Sequence, residues 1–360
     1  MGLHSLHLTR FRTFDEYQLD LNPEAVTVFM SPNGTGKTSV LEAIFVMVTG
    51  NSFRTSSSGD LMMTGSEKSS AKALVFSQQR RLEFDVTLTR GVRAVTKKLT
   101  INKQRPTTLS ALYEAFPVTV FTPEGVDMVR RDPGERRAFI SHLAISLTPR
   151  VSDVVERFER VLKQRNAVLR SHGDHPSFVD LQRDLAVWDE EFIRVSEELV
   201  AARESSLALL NPVTENYYTE ISQGQGRVTL RYEPSWSGSL RTALHEALPR
   251  DIARGYTTLG PHRDDVSIQL DGRDARRQAS QGEQRSVALS MLLAGDHLVR
   301  SHRSLAPLLM LDDVFSELDP FRSSQLLALL PPGQTLVTAA SPLPAGLQPA
   351  DMVDVTMRNT

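Results

Sequence analysis

The chain has 360 residues, 40% of them hydrophobic and 23% charged, with a formal net charge of −2. That length suits one large domain or two ordinary ones with a full core. With no cysteine, neither disulfides nor a thiolate metal site can hold the fold, as suits a reducing cytoplasm. The opening "MGLHSLHLTRFRTF" lacks the apolar core of a signal peptide, and no run of about 18 apolar residues occurs, so a cytoplasmic protein without a membrane span is expected.

In chain order, "LHSLHLTRF" and "YQLDLN" alternate apolar and polar residues, and "AVTVFM" is a short apolar run, so three strands are predicted. A glycine-bearing turn follows, then a helix from about Thr38 to Val48. "RLEFDVTLTR" and "KKLTINKQ" alternate again, and Val118–Thr122 is a further strand. Between Arg80 and Arg105 stand eight basic residues, Arg80, Arg81, Arg90, Arg93, Lys97, Lys98, Lys103 and Arg105, against two acidic ones, Glu83 and Asp85. This is either a solvated strand face or a phosphate-contacting patch.

Beyond Pro133 the texture becomes helical. Val151, Val154, Val155, Phe158, Val161 and Leu162 recur at helical spacing. After the break "SHGDHPS", Leu181, Leu185, Trp188, Phe192, Val195 and Leu199 alternate steps of four and three. An antiparallel hairpin is expected, and a helix of about 30 residues would be only about 45 Å long. Strands return at "RVTLRYE" and "DVSIQLDG", a helix starts near Gln281, and "PLLMLDD" and "TLVTAA" are buried strands. The division is 1–122, an N-terminal lobe, 123–224, an inserted α-helical hairpin domain, and 225–360, a C-terminal lobe of the same α/β fold.

"SPNGTGKT", Ser31 to Thr38, sits between a strand and a helix, the context a phosphate loop requires. Gly34 and Gly36 let successive N–H groups turn toward phosphate oxygens, and the helix N-terminus adds partial positive charge. Lys37 would reach the β- and γ-phosphates and Thr38 would be a magnesium ligand. The candidate nucleotide contacts run through Ser31, Pro32, Asn33, Gly34, Thr35, Gly36, Lys37, Thr38 and Ser39. Ser31 stands where the pattern has its first glycine.

Asp312 and Asp313 end an apolar strand, so both can reach a cleft at its carboxyl end. Asp312 suits the magnesium position beside Thr38, and Asp313 is placed to accept a proton from an attacking water. The pair lies 275 residues after Lys37, so one site is assembled from both ends of the chain. Ser280, Gln281 and Gly282 open another helix, a second anion-binding start. A head-to-tail pair of chains would use it to cap a partner's γ-phosphate. Ser280 with Glu283 also reads as a local capping box.

Taken together, these residues resemble the ABC-type ATPases of the SMC group, and within it the RecF family, over nearly the whole chain. "FRTF" (Phe11–Phe14), "FTPEGVDMVRRDPGERRAFI" and "TTLGPHRDDVSI" resemble RecF segments; "SQGEQR" matches the signature motif and "DDVFSELD" the Walker B and D-loop. The resemblance implies an ABC-type ATPase head with ATP and Mg2+ as cofactors. Arg12 and Glu124 would lie near the nucleotide and Asp319 would face a dimer partner. It departs from the wider pattern at Ser31, at Glu124 for a glutamine, at Asp313 for a glutamate and at Ala339 for a histidine, which implies slow hydrolysis.

The implied role is recombinational repair: binding duplex DNA and ss/ds junctions as an ATP-dependent homodimer, with RecR and RecO, to place RecA. Arg130, Arg131, Arg136 and Arg137 join the Arg80–Arg105 cluster as candidate DNA contacts, and they could equally cap helices or pair with acids. The competing readings are a transporter ATPase subunit and a P-loop phosphotransferase.

Overall fold

The computed structural model describes residues 2–77, 80–171, 178–224, 226–303, 306–340, 343–344, 346 and 351–355. An antiparallel sheet opens the chain: β1 (Gly2–Phe11) lies between β2 (Phe14–Asp20) and β4 (Lys68–Ser77), and β5 (Arg80–Arg90) and β6 (Val95–Ile101) extend it. β4 is absent from the sequence-based expectation. Its inward residues, Ser69, Ala71, Ala73, Val75 and Ser77, are small or hydroxylic, so their alternation is nearly silent in hydropathy.

A second, parallel sheet has the order β13 (Asp351–Val353), β3 (Val26–Met30), β12 (Thr335–Ala339), β11 (Leu308–Asp312) and β7 (Val118–Phe121). Strands covered on both faces read as continuous apolar runs, and β11 does. Leu308 and Met310 enter the first core, with α1 (Lys37–Thr49) and the antiparallel sheet; Leu309 and Leu311 enter a second core on the opposite face. Every residue of α1 except Thr38 is buried. The helix that carries the phosphate loop is thus clamped between two sheets.

The second core gathers Phe121, α3 (Pro123–Val126), α4 (Pro133–Leu147), α9 (Gln281–Arg303) and the small sheet of β8 (Val228–Glu233), β9 (Asp265–Leu270) and β10 (Arg273–Asp274). Residues from all three segments of the sequence division meet there. Short α2 (Ser110–Ala115), α8 (Ala275–Gln278) and α10 (Pro320–Ala328) lie at the margins.

The hairpin pairs α5 (Val151–Arg170) with α6 (Phe178–Ile221). The expected break at 172–177 lies outside the described residues. α6 runs 44 residues, about 66 Å at 1.5 Å per residue, longer than the expected 30. Pro212 removes one helical donor but does not end the helix, because Leu207, Leu210, Tyr218 and Ile221 around it are held in the second core. The other half is the predicted seam: Leu181, Leu185, Phe192, Val195 and Leu199 are buried.

Arg165, fully buried on α5, ties the hairpin to α7 (Leu240–Arg254) and the following loop. It donates to Asp189 at 2.7 Å, Asp251 at 2.8 Å and the Thr257 hydroxyl at 2.7 Å. His262 of the same loop lies against Phe158 and Phe192. Burial, with the charges of Arg263 and Arg137, pushes its imidazole down to about 4. The folded group therefore stays neutral while an unfolded imidazole, near 6.5, takes up a proton. Its stabilisation is complete above about pH 6.5 and is lost as pH falls toward about 4. The melting temperature is expected to fall between pH 7 and 5, by about 2 kcal/mol of stability for this group alone. A pH series of melting curves checks this, with a shallower slope expected for His262→Gln.

Candidate nucleotide site and signature face

The loop from Ser31 to Gly36 links β3 to α1, with Gly34 at φ 85° and Gly36 at φ 107°. At Gly36 a Cβ would stand 2.6 Å from Phe14 Cζ and 2.8 Å from Thr13 Oγ1, so conformation and space both demand glycine. Pro32, Asn33 and Gly34 are exposed at the tip, the Thr35 hydroxyl donates to the Pro32 carbonyl at 2.9 Å, and Ser39 is buried. Lys37 is buried and donates to the carbonyls of Ser31 and, at 2.9 Å, Pro32. Burial lowers its pKa against the opposing pull of Asp313 and Asp312. The lysine cation is thus held by two loop carbonyls, within the field of the Asp312 and Asp313 carboxylates.

β12 separates β3 from β11, and all three run parallel, which brings Thr38 to Asp312. The Thr38 and Thr338 hydroxyls each donate to Asp312 Oδ1 at 2.8 Å. Burial raises the Asp312 pKa, opposed by those two hydrogen bonds and the charge of Arg54. A hydroxyl and a buried carboxylate at contact are hard oxygen donors that fit magnesium. Asp313 turns into the left-handed region at φ 48°, and its N–H is held by Thr338 Oγ1 at 2.9 Å. The turn sends the second carboxylate off the strand at the same edge. β7 ends beside β11, with Phe121 opposite Leu311, so exposed Glu124 begins its turn at that edge too.

Arg12 is not open to the loop alone. Its guanidinium makes a two-point pair with fully buried Glu42 of α1, at 2.8 and 2.6 Å. Arg54 approaches the same carboxylate at 3.5 Å, and the Ser52 hydroxyl donates to it at 2.5 Å. Glu42, Arg54 and Thr338 escaped the reading of the sequence. The available signal was Glu42, one turn after Thr38 in an otherwise apolar helix, where an acid needs a buried partner. Arg54 and Thr338 carry no such mark.

At the signature segment the capping box forms: Ser280 N–H donates to Glu283 Oε2 at 2.7 Å and Glu283 N–H to Ser280 Oγ at 3.3 Å. Ser280 and Gln281 are exposed. A Cβ on Gly282 would meet Arg322 at 2.7 Å. Asp319 caps α10 through the Arg322 N–H at 2.9 Å and pairs with the Arg322 guanidinium. Phe321, 44% exposed, stands beside them. Ala339 ends β12 with no side-chain donor to offer.

The basic candidates separate. Arg80, Arg81, Arg90, Arg93, Lys98, Lys103, Arg105 and Arg131 are exposed, and Arg105 borders a cleft of about 1120 Å³ with Lys97 and Glu159. Lys98 lies opposite Thr87 on the face of the antiparallel sheet turned away from Phe84, Val86 and Leu88. Lys97 points the other way and donates to the Gly50 carbonyl at the end of α1, so it is corrected to a helix-capping lysine. Arg130 pairs with Asp127 at 2.6 Å and Arg137 donates to the Asp264 carbonyl at 2.7 Å.

Arg136 is also corrected. It is 3% exposed and its donors go to Asp265, at 2.8 and 3.0 Å, and to the carbonyls of Met128, Val129 and Arg131. It is a structural arginine joining α4 to β9, and no phosphate can reach it. Arg136→Ala is expected to cost about 2–3 kcal/mol, since it removes the ion pair with partly exposed Asp265 and leaves the carbonyls of Met128, Val129 and Arg131 without their donor. Thermal melting checks this, with Arg131→Ala expected within about 0.5 kcal/mol of the parent.

The RecF/RecN/SMC N terminal domain matches residues 2–341. The DNA replication and repair protein RecF of Streptomyces avermitilis is 36% identical over 357 residues, covering 94% of each chain. That of Acidothermus cellulolyticus is 35% identical over 354 residues, again 94% of each. Among solved structures, the recombination mediator protein RecF-ATP in RecFOR pathway superposes with a TM-score of 0.84 at 23% identity, over 98% of this chain and 94% of that one. Its RecF-ATPrS counterpart gives 0.84 at 22%, over 98% and 96%. With that family model spanning nearly the whole chain and these relatives matching it end to end, the chain belongs to the RecF family of the SMC-type ABC ATPases.

Proposed function

We propose that this protein is an ATP-gated DNA clamp of recombinational repair. The observation that carries the reading is the division of one chain into two half-sites. Lys37, Thr38 and Asp312 converge at the phosphate loop. Ser280 and Gly282 border Asp319 and Arg322 instead, on an exposed face. Two chains placed head to tail would complete two sites, with ATP as the joint. Thr38 and Asp312 would hold magnesium, which neutralises phosphate charge when bound. Lys37 would bind the phosphates, Arg12 and Arg54 would add positive charge held by Glu42, and Asp313 would take a proton from the attacking water. An aspartate is shorter than a glutamate, and Ala339 offers no donor, so hydrolysis is slow and serves release.

Joined heads would present the outer face of the antiparallel sheet, with Lys98 and the exposed arginines, to duplex DNA near single-strand gaps. Such contacts read phosphates and shape, and weaken with salt. The relatives are DNA replication and repair proteins. The structural neighbours are recombination mediators of the RecFOR pathway, which supports RecR and RecO as partners in loading RecA, in replication restart and in SOS induction. Among the described residues no helix is long and apolar enough to cross a membrane. A cytoplasmic place follows from the role proposed. Sedimentation velocity of Asp313→Asn protein, with and without Mg-ATP, tests the reading: an ATP-dependent dimer is expected, and a monomer under both conditions despite bound ATP would overturn it.

A further inference from the structure

Ser31 departs from the phosphate-loop pattern, and its side chain has a use that a glycine could not supply. Its hydroxyl lies 2.8 Å from Asp354 Oδ1 and 2.6 Å from the Met30 carbonyl, and it accepts the Val355 N–H at 3.0 Å. One hydroxyl proton serves one acceptor at a time, and the carboxylate offers the stronger, charge-assisted bond. Asp354 and Val355 directly follow β13, which pairs with β3 as far as Val353 opposite Phe29. Val353 and Val355 are buried in the first core, 8% and 0% exposed, so this end of the chain is anchored and not merely adjacent.

The backbone of the same residue faces the nucleotide machinery. The Ser31 carbonyl receives the Lys37 ammonium, and its N–H donates to Ala339 of β12 at 3.4 Å. Ser31 is thus a node: its side chain is fixed by the C-terminal segment and its carbonyl holds the phosphate-binding lysine. A loop that keeps its lysine in place before the ligand arrives loses less order on binding.

We infer that Ser31 and Asp354 are a positioning pair, a latch through which the segment after β13 sets the phosphate loop for nucleotide. The inference rests on the reading of Ser31–Thr38 as the ATP site. The test is equilibrium binding of a fluorescent ATP analogue to full-length wild type, Ser31→Ala, Ser31→Thr, Asp354→Ala and the Ser31→Ala/Asp354→Ala double variant, with Lys37→Met as control. Asp354→Ala is expected to weaken binding about fivefold to tenfold, the net worth of one ordinary hydrogen bond at an exposed carboxylate, and Ser31→Ala at least as much, since it also strands the Val355 N–H. The double variant should be no weaker than Ser31→Ala, because the bond that Asp354→Ala removes is already lost there. Ser31→Thr, which keeps the hydroxyl, should bind like wild type. A merely structural role for Ser31 predicts no effect of Asp354→Ala, an exposed position that cannot unfold the chain. Wild-type affinity in Asp354→Ala, or effects that multiply in the double variant, would overturn the latch while leaving the site reading intact. Equal binding by Lys37→Met and wild type would overturn the site reading, and the latch with it.

Discussion

Lys37→Met protein is expected to fold normally and to lose ATP binding by more than about 100-fold. The lysine is buried, and burial lowers its pKa, so holding its charge in the loop carries a cost. The carbonyls of Ser31 and Pro32 and the nearby Asp313 and Asp312 offset that cost. Methionine fills a similar volume without the charge, so the melting temperature without nucleotide should be unchanged or slightly raised. With triphosphate present the balance reverses. Two charge-assisted contacts to phosphate, at about 1.5–3 kcal/mol each, disappear. Isothermal titration paired with melting curves separates the two effects. Loss of binding together with loss of fold would instead make Lys37 a structural residue.

Ser280→Arg should give the opposite pattern: ATP affinity near that of the parent, and no ATP-driven dimer. Ser280 caps α9 and is exposed, so its replacement costs about 1 kcal/mol of helix capping and leaves Lys37, Thr38 and Asp312 untouched. Across a head-to-tail joint the arginine would stand where a partner's γ-phosphate needs a small hydroxyl beside Gly282, which is itself packed tightly on Arg322. Placed in the Asp313→Asn background, the variant should sediment as a monomer with bound ATP. A dimer that formed regardless would mean that α9 does not complete the site, and would remove the basis of the clamp.

The phosphate-loop motif, the carboxylate pair, the capping box and the helical seam were all legible in the amino-acid order. Each is a local pattern whose chemistry needs particular residues at fixed spacing. Gly36, Lys37 and Thr38 must be consecutive for a loop to turn into a helix around phosphate, and Ser280 must precede Glu283 by three for the box to close. The alternation of β5 likewise fixed which side chains turn inward.

What only the tertiary structure decided are pairings between residues far apart in the chain. Nothing near Arg136 announces Asp265 as its partner, and although alternation with Val95, Leu99 and Ile101 puts Lys97 on the apolar side, nothing there names the end of α1 as what it meets. Neighbours within a strand point to opposite faces, so of the adjacent pair Lys97 and Lys98 one turns to the interior side and one to the outside. Glu42 acquires its meaning only once Arg12 and Arg54 converge on it from other elements. Ser31, a defect in the linear pattern, becomes a bonded residue because a parallel strand from the far end of the chain lies alongside β3. Local propensity is written in neighbours; burial and charge pairing depend on which distant segment arrives.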